Sequence, residues 1–196
     1  MAFTPQSNQV DINGNQYQLT AFYFPGHNTA WDDYYQAPFL GNFWQAKLTV
    51  TIDSVTANFH TAEAAFQATK WWYHDGIRKK FETATTGDEA LRVKKSQVIS
   101  PDYTYAGLYR DGAMLKVLEA KFADKTLQAG LLATSDAYLL EHNAAIDRDE
   151  YWSDNHDGTG KNMLGITLMS VRKGLGGQGD LYRGAVTEMT AQVMTK

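Results

Sequence analysis

The sequence predicts an α+β domain, mainly α-helical, with a small antiparallel sheet. Three observations predict it. Apolar and polar residues alternate from Val10 to Leu19 around Asn13-Gly14, the dipeptide that favours a tight hairpin turn. Lys47-Leu48-Thr49-Val50-Thr51-Ile52 carries the β-branched content of a strand. Beyond Thr61 the apolar residues recur at helical spacing, with Met114, Leu118 and Phe122 one turn apart. Strands come early and helices follow, the α+β order. A chain of 196 residues suffices for one sizeable core, so a single domain over 1–196 is expected.

The elements follow in order. After the hairpin, Ala21–Phe24 reads as a further strand closed by Pro25-Gly26. His27 to Pro38 has no period and reads as a long loop, a length that often carries function. Asp53-Ser54 turns the 47–52 strand into a short one over 55–59. Thr61 can cap a helix running to about Trp72, with Glu63 beside the positive end of its dipole. A short helix is expected over 77–84. Thr86-Gly87-Asp88-Glu89 has capping-box spacing and starts another, through about Gln97. Helices are expected over 108–122, 127–133 and 163–175, and a buried strand over 138–141. Glycines 174, 176, 177 and 179 stop the last helix and can hinge a C-terminal tail.

Composition narrows the function classes. Hydrophobic residues at 43% and charged residues at 20% are globular values. Aromatics at 13% exceed what a minimal core needs, which suits a site where a flat ligand stacks, although plain core use explains them too. A net charge of −4 argues against a general grip on nucleic-acid phosphates. The absence of Cys removes disulfides, thiolate zinc sites and cysteine nucleophiles. The start of the chain does not read as a signal peptide, and no stretch approaches a membrane span, so a cytoplasmic protein is expected.

Chemistry-bearing residues fall in three segments: Gly41-Asn42-Phe43, the Glu63–Lys70 face, and Asp149 to Asn162. Glu63, Gln67 and Lys70 share one face of a helix otherwise built from alanines, with Phe66 at its edge. That arrangement suits a polar ligand pocket and equally a solvated helix face. Gly158 and Gly160 before Lys161-Asn162 can let backbone N–H groups approach a phosphate, or simply form a tight turn. The 174–179 glycines follow a helix, not a strand, which excludes a dinucleotide fingerprint. Histidines 27, 60, 74, 142 and 156 have no metal-ligand spacing, so neither metal nor cofactor is expected. Glu141-His142 reads as an exposed strand-end pair. No GxSxG marks a serine nucleophile, leaving Glu63, Glu141, Asp149 and Asp154 as candidate acids.

Taken in order, these pieces resemble the NADAR family of YbiA-like N-glycosidases over residues 22–175. They are Gly41-Asn42-Phe43, Thr61-Ala62-Glu63 with Phe66-Gln67-Ala68-Thr69-Lys70, Ala113-Met114 through Lys121-Phe122, and Leu131-Leu132-Ala133-Thr134. They continue with Leu140-Glu141-His142, Asp149-Glu150-Tyr151-Trp152-Ser153-Asp154, Gly158 through Gly165, and Leu168-Met169-Ser170-Val171-Arg172. Ala65, Ser153 and Tyr109 depart from the family's usual residues, and the 27–38 segment is longer than in compact members.

The resemblance implies cleavage of a ribosyl–nitrogen bond without metal or redox cofactor. The substrate it implies is ADP-ribosylated guanine in DNA, RNA or a nucleotide, with a small phosphorylated riboside of riboflavin biosynthesis as the alternative, or binding of ADP-ribose without cleavage. An ADP-ribosyltransferase toxin acting on the same base is the implied partner. In this reading Glu63, then Asp149, stabilises the cationic sugar, while Asp154 or Lys70 donates the proton. Lys70 can alternatively attack the ring-opened sugar as an amine. Asn42, Gln67 and Asn162 would hold ribose or phosphate, Phe43, Trp44 or Trp152 would stack on a base, and Gly158 to Asn162 would cradle the diphosphate.

Overall fold

A computed structural model describes residues 2–24, 29–178 and 185–194. The expected Pro25-Gly26 stop, His27 and Gly179 lie outside them. The described chain forms two compact units, one from residues 1–41 and 125–196 and one from 42–124.

The first unit holds a three-stranded sheet in the order β1-β2-β5. Strands β1 (Asn8–Ile12) and β2 (Asn15–Phe24) form the expected antiparallel hairpin, from Asn8–Leu19 to Ile12–Asn15. Asn13 and Gly14 supply the two positive φ angles, 54° and 81°, that a primed turn needs. Asp11 Oδ1 accepts the Gly14 N–H. The strand expected over 21–24 is not separate: β2 runs unbroken for 10 residues because its second half pairs with β5 (Tyr138–Asn143). That pairing is parallel, so the sheet is mixed.

Helices α6 (Lys125–Ala133), α7 (Met163–Gly174) and α8 (Val186–Met194) complete this unit, with α7 and α8 against β5. Helix α8 replaces the expected tail. The expected 27–38 loop is corrected as well, since Thr29–Tyr35 forms helix α1 against β2. Its stability is tertiary: Trp31 stacks on His142 at 4.6 Å and meets Tyr35 and Tyr23 edge-on, each at 5.8 Å. No helical period announces it.

The second unit starts with the hairpin of β3 (Gln45–Ile52) and β4 (Val55–Thr61), whose alternating burial matches its alternating sequence. β4 delivers the chain into α2 (Ala62–Ala68), where Thr61 Oγ1 accepts the Ala64 N–H as the expected N-cap. α2 ends earlier than expected and tightens into a 3-10 turn over Thr69–Trp71. Helices α3 (Asp75–Thr83), α4 (Gly87–Lys95) and α5 (Tyr109–Lys121) follow, all three packed on α2 or its sheet. The Thr86–Glu89 capping box forms in full. The fold class is therefore α+β as expected, with two small sheets in place of one. No helix among the described residues is long and apolar enough to cross a membrane.

Candidate functional site

In the second unit every side chain of α2 is buried, including its polar ones. The solvated-face reading is thereby excluded: Glu63, Gln67 and Lys70 are 8%, 5% and 7% exposed. Helical spacing threads them into a chain of hydrogen bonds. Gln67 Nε2 donates to Glu63 Oε1 at 2.8 Å, and Lys70 Nζ donates to Gln67 Oε1 at 2.8 Å. The small alanines between them leave room for neighbours to close in. The Lys70 Nζ lies 5.4 Å from the ring centres of both Phe66 and Tyr105, which stack on each other at 5.5 Å. Burial, with Lys94 nearby, pulls the Lys70 pKa down to about 8, and Glu63 opposes the shift.

Asn42 completes this cluster. Its backbone carbonyl accepts the Glu63 N–H at 3.0 Å, tying it to the first turn of α2. Its amide nitrogen meets only the soft sulfur of Met114, at 3.6 Å. Its amide oxygen is buried with no partner, an acceptor left waiting for a donor. Phe43 is half-buried and lies flat on Gly87, whose missing Cβ would otherwise sit 2.4 Å from the ring. Trp44 is half-buried as well. Two open clefts of about 420 and 480 Å³ flank β3 and β4 around Lys47 and His60. Their walls contain none of these residues, so they lie apart from the polar chain.

The acidic segment belongs to the first unit and is built differently. β5 is buried along its whole length yet lies at the edge of its sheet, so its outward N–H and C=O groups need partners. Side chains supply most of them. Asn162 Nδ2 donates to the Leu139 carbonyl and its Oδ1 accepts the Glu141 N–H. The Asp154 N–H reaches the Glu141 carbonyl, and Asp154 Oδ1 accepts the Asn143 N–H. His156 Nδ1 pairs with the Asn143 carbonyl. The segment is a substitute strand made from side chains.

Asp154 has no exposed surface and also bonds His142 Nδ1 at 2.6 Å, Thr190 Oγ1 and the His156 N–H. A carboxylate so enclosed frames the loop and is not placed to give a proton to a substrate. Asn162, likewise fully buried, caps the strand instead of holding ribose. The diphosphate cradle is corrected too, because all five N–H groups from Gly158 to Asn162 are engaged within the loop. Gly158 and Gly160 both donate to the Asp154 carbonyl. Their glycines answer to packing: a Cβ on Gly160 would lie 2.3 Å from the Ser153 carbonyl, and one on Gly158 2.7 Å from Thr187. Glu141 and His142 are buried, 3% and 5% exposed, not the exposed pair expected.

Asp149 keeps more freedom. It is half-buried, and its Oδ1 accepts the backbone N–H groups of Tyr151 and Trp152. Ser153, where the resemblance leads one to expect glycine, turns its hydroxyl to the Asp149 carbonyl at 2.6 Å. Tyr105, which the sequence did not single out, is the residue that reasoning from motifs missed. Its signal was weak: an aromatic beside Ala106-Gly107 in an otherwise unremarked turn.

Residues 23–176 match the model of the NADAR domain, and they include the β3–β4 hairpin, the buried chain, and β5 with its substitute strand. The chain belongs to the NADAR family. N-glycosidase YbiA of Escherichia coli (strain K12) is 34% identical over 116 residues, covering 59% of this chain and 69% of that protein. A riboflavin biosynthesis protein of Vibrio vulnificus (strain YJ016) is 30% identical over 179 residues, 89% of this chain but 44% of that longer protein. The NMR structure of E. coli YbiA aligns with a TM-score of 0.58 at 30% identity, covering 81% of this chain and 86% of that one. Among the described residues of this NADAR chain, no three His, Asp or Glu side chains group to hold a metal.

Proposed function

We propose that this N-glycosidase, a hydrolase of N-glycosyl bonds, removes ADP-ribose from ADP-ribosylated guanine in nucleic acid or nucleotides. One observation carries the reading: the buried Glu63–Gln67–Lys70 chain with the unpartnered Asn42 amide oxygen tied to its first turn. Burying three polar side chains on one helix costs stability that their mutual hydrogen bonds only partly offset, a cost a binding site can justify.

Breaking the ribosyl–nitrogen bond moves its electron pair to the base and leaves positive charge on the anomeric carbon. Glu63, held in orientation by Gln67, stabilises that charge in a site where water screens little. With a pKa of about 8, Lys70 is mostly an ammonium at neutral pH and supplies the proton to the departing nitrogen or the ring oxygen. Water then adds its oxygen to the anomeric carbon and releases a proton. The amine fraction of Lys70 offers a second route, in which ring opening leaves the anomeric carbon doubly bonded to the base nitrogen. The amine adds to that carbon and expels the base as its own C=N bond forms, and water then hydrolyses that bond to release the sugar and free Lys70. The Asn42 oxygen accepts from a ribose hydroxyl. Trp44, in the same unit as the buried chain, is a half-buried indole suited to stacking on a base. The partner this reading implies is an ADP-ribosyltransferase that modifies the same base.

A second reading is supported by the riboflavin biosynthesis relative, which aligns along most of this chain. There the substrate is a phosphoribosyl-pyrimidine intermediate, and the same carboxylate and amine act on a smaller base.

The test is to incubate the protein with ADP-ribosylated guanosine, with DNA and RNA bearing that base, and with the pyrimidine intermediate, and to follow free base and sugar by chromatography. Release of ADP-ribose from modified guanine, abolished in Glu63→Gln and Lys70→Ala, is expected. Turnover confined to the pyrimidine intermediate selects the second reading, and ADP-ribose binding without any cleavage marks a recognition module.

A further inference from the structure

The segment from Asp102 to Tyr109 is wound in a way its sequence does not require. Tyr105, Ala106 and Gly107 take φ angles of 55°, 56° and 80° in succession, and Tyr109 another of 58°. Only glycine enters that region freely, so three L residues there are held against their preference. The restraint is dense. Asp102 accepts from Thr104 N, Thr104 Oγ1 and Ala106 N through its carboxylate, and from Tyr105 N through its carbonyl. Thr104 in turn accepts the Gly107 N–H on its hydroxyl and the Tyr109 N–H on its carbonyl. The whole turn hangs from Lys70 itself, since the Asp102 N–H donates to the Lys70 carbonyl at 2.7 Å.

What this winding achieves is the placement of one ring. Tyr105 is 8% exposed, stacks on Phe66, and brings its ring to the same 5.4 Å from Lys70 Nζ as the Phe66 ring. A flexible four-carbon side chain is thus pinned at its tip by a two-ring clamp and by the Gln67 acceptor.

We infer that Tyr105 is a positioning residue for Lys70: the strained turn exists to press its ring onto the amine, excluding water and holding Nζ on Gln67. This rests on the reading of Lys70 as a reacting group. The groups bearing on the amine's charge are Glu63 and Gln67 on α2, Lys94 on α4 and the Tyr105 ring. Among them the burial that Tyr105 helps provide dominates, so opening the clamp admits water and moves the amine's titration upward. The hydroxyl plays no part in the contact; the ring does.

The test titrates Lys70 in ligand-free protein by the 13Cε resonance of labelled lysine, assigned by its loss in Lys70→Met, and sets it beside the pH profile of kcat. Wild type is expected to titrate near 8. Tyr105→Phe keeps that value and a kcat within about twofold. Tyr105→Ala moves the titration and the matching limb of the profile up by about one pH unit and lowers kcat about tenfold or more. Asp102→Ala, which keeps both rings and the lysine but loosens the turn, moves both the same way by less. Should Tyr105→Ala fail to fold, Asp102→Ala decides alone. An unmoved Lys70 titration in folded Asp102→Ala and Tyr105→Ala overturns the clamp. A moved titration in a protein that cleaves none of the substrates keeps the clamp and removes the glycosidase role of Lys70.

Discussion

Lys70 sits in a position that works against its own charge. Its pKa of about 8, against 10.5 for an unburied lysine, means the folded protein holds the ammonium less readily than the unfolded chain does. At pH 7 that burial costs about 3 kcal/mol from this one group. Between pH 8 and 10.5 the unfolded state binds the extra proton, so the Lys70 contribution to stability rises with pH across that window and is flat below it. Lys70→Met removes the burden while keeping length and bulk, at the expense of an unpaired Gln67 oxygen. We expect it to raise stability at pH 7 by about 1–2 kcal/mol in urea unfolding while abolishing turnover. The stabilisation should fade as wild type is measured toward pH 10.5. Glu63→Gln keeps its shape and loses the charge; a fall in kcat of about 100-fold or more, with an unchanged melting curve, is expected.

At the scale of elements, the strongest local devices are the caps. Thr86→Ala removes the hydroxyl that accepts the Glu89 N–H in the α4 capping box, leaving only the backbone arm to the Glu89 carboxylate. It should cost about 1 kcal/mol by urea titration, with little effect on kcat because the site lies on α2. Asn162→Ala is of another order. It strips the Leu139 carbonyl and the Glu141 N–H of their partners and puts alanine at a φ of 48°. A loss of about 3 kcal/mol or more is expected, read in the same experiment. Were Asn162→Ala to keep wild-type stability while raising KM, Asn162 would be a ligand contact after all and the substitute strand a secondary feature. Gly165 belongs to the same design: a Cβ there would meet the Leu139 carbonyl at 2.0 Å, so only glycine lets α7 approach β5.

For the molecule as a whole, charge bears on which form of the substrate is met. Residues 42–124 carry 11 Lys and Arg against 10 Asp and Glu, whereas the rest of the chain carries 7 against 12. The unit holding the buried polar chain is near neutral, and the acidic excess falls on the other. Neither balance builds the positive surface that duplex nucleic acid requires. Accordingly, kcat/KM for modified guanosine or a single strand should exceed that for a duplex, and its logarithm should fall with log salt at a slope shallower than about −2. A steep slope on duplex DNA would show a backbone grip that composition does not suggest.

The sequence by itself determined what depends on neighbours along the chain. The Asn13-Gly14 turn, the Thr61 cap, the Thr86 capping box and the helical face of Glu63, Gln67 and Lys70 each follow from chemistry within four residues, and family membership follows from motifs in order. Only the tertiary structure decided what those polar residues do. Helix α1 depends on Trp31 finding His142 more than a hundred residues away, which no local period encodes. Asp154 and Asn162 look like ligand contacts in the sequence because a strand edge and a bound substrate ask for the same donors and acceptors; which one a side chain meets depends on the strand beside it. Tyr105 reads as an ordinary turn aromatic until the left-handed winding of its segment lays it on a lysine 35 positions earlier.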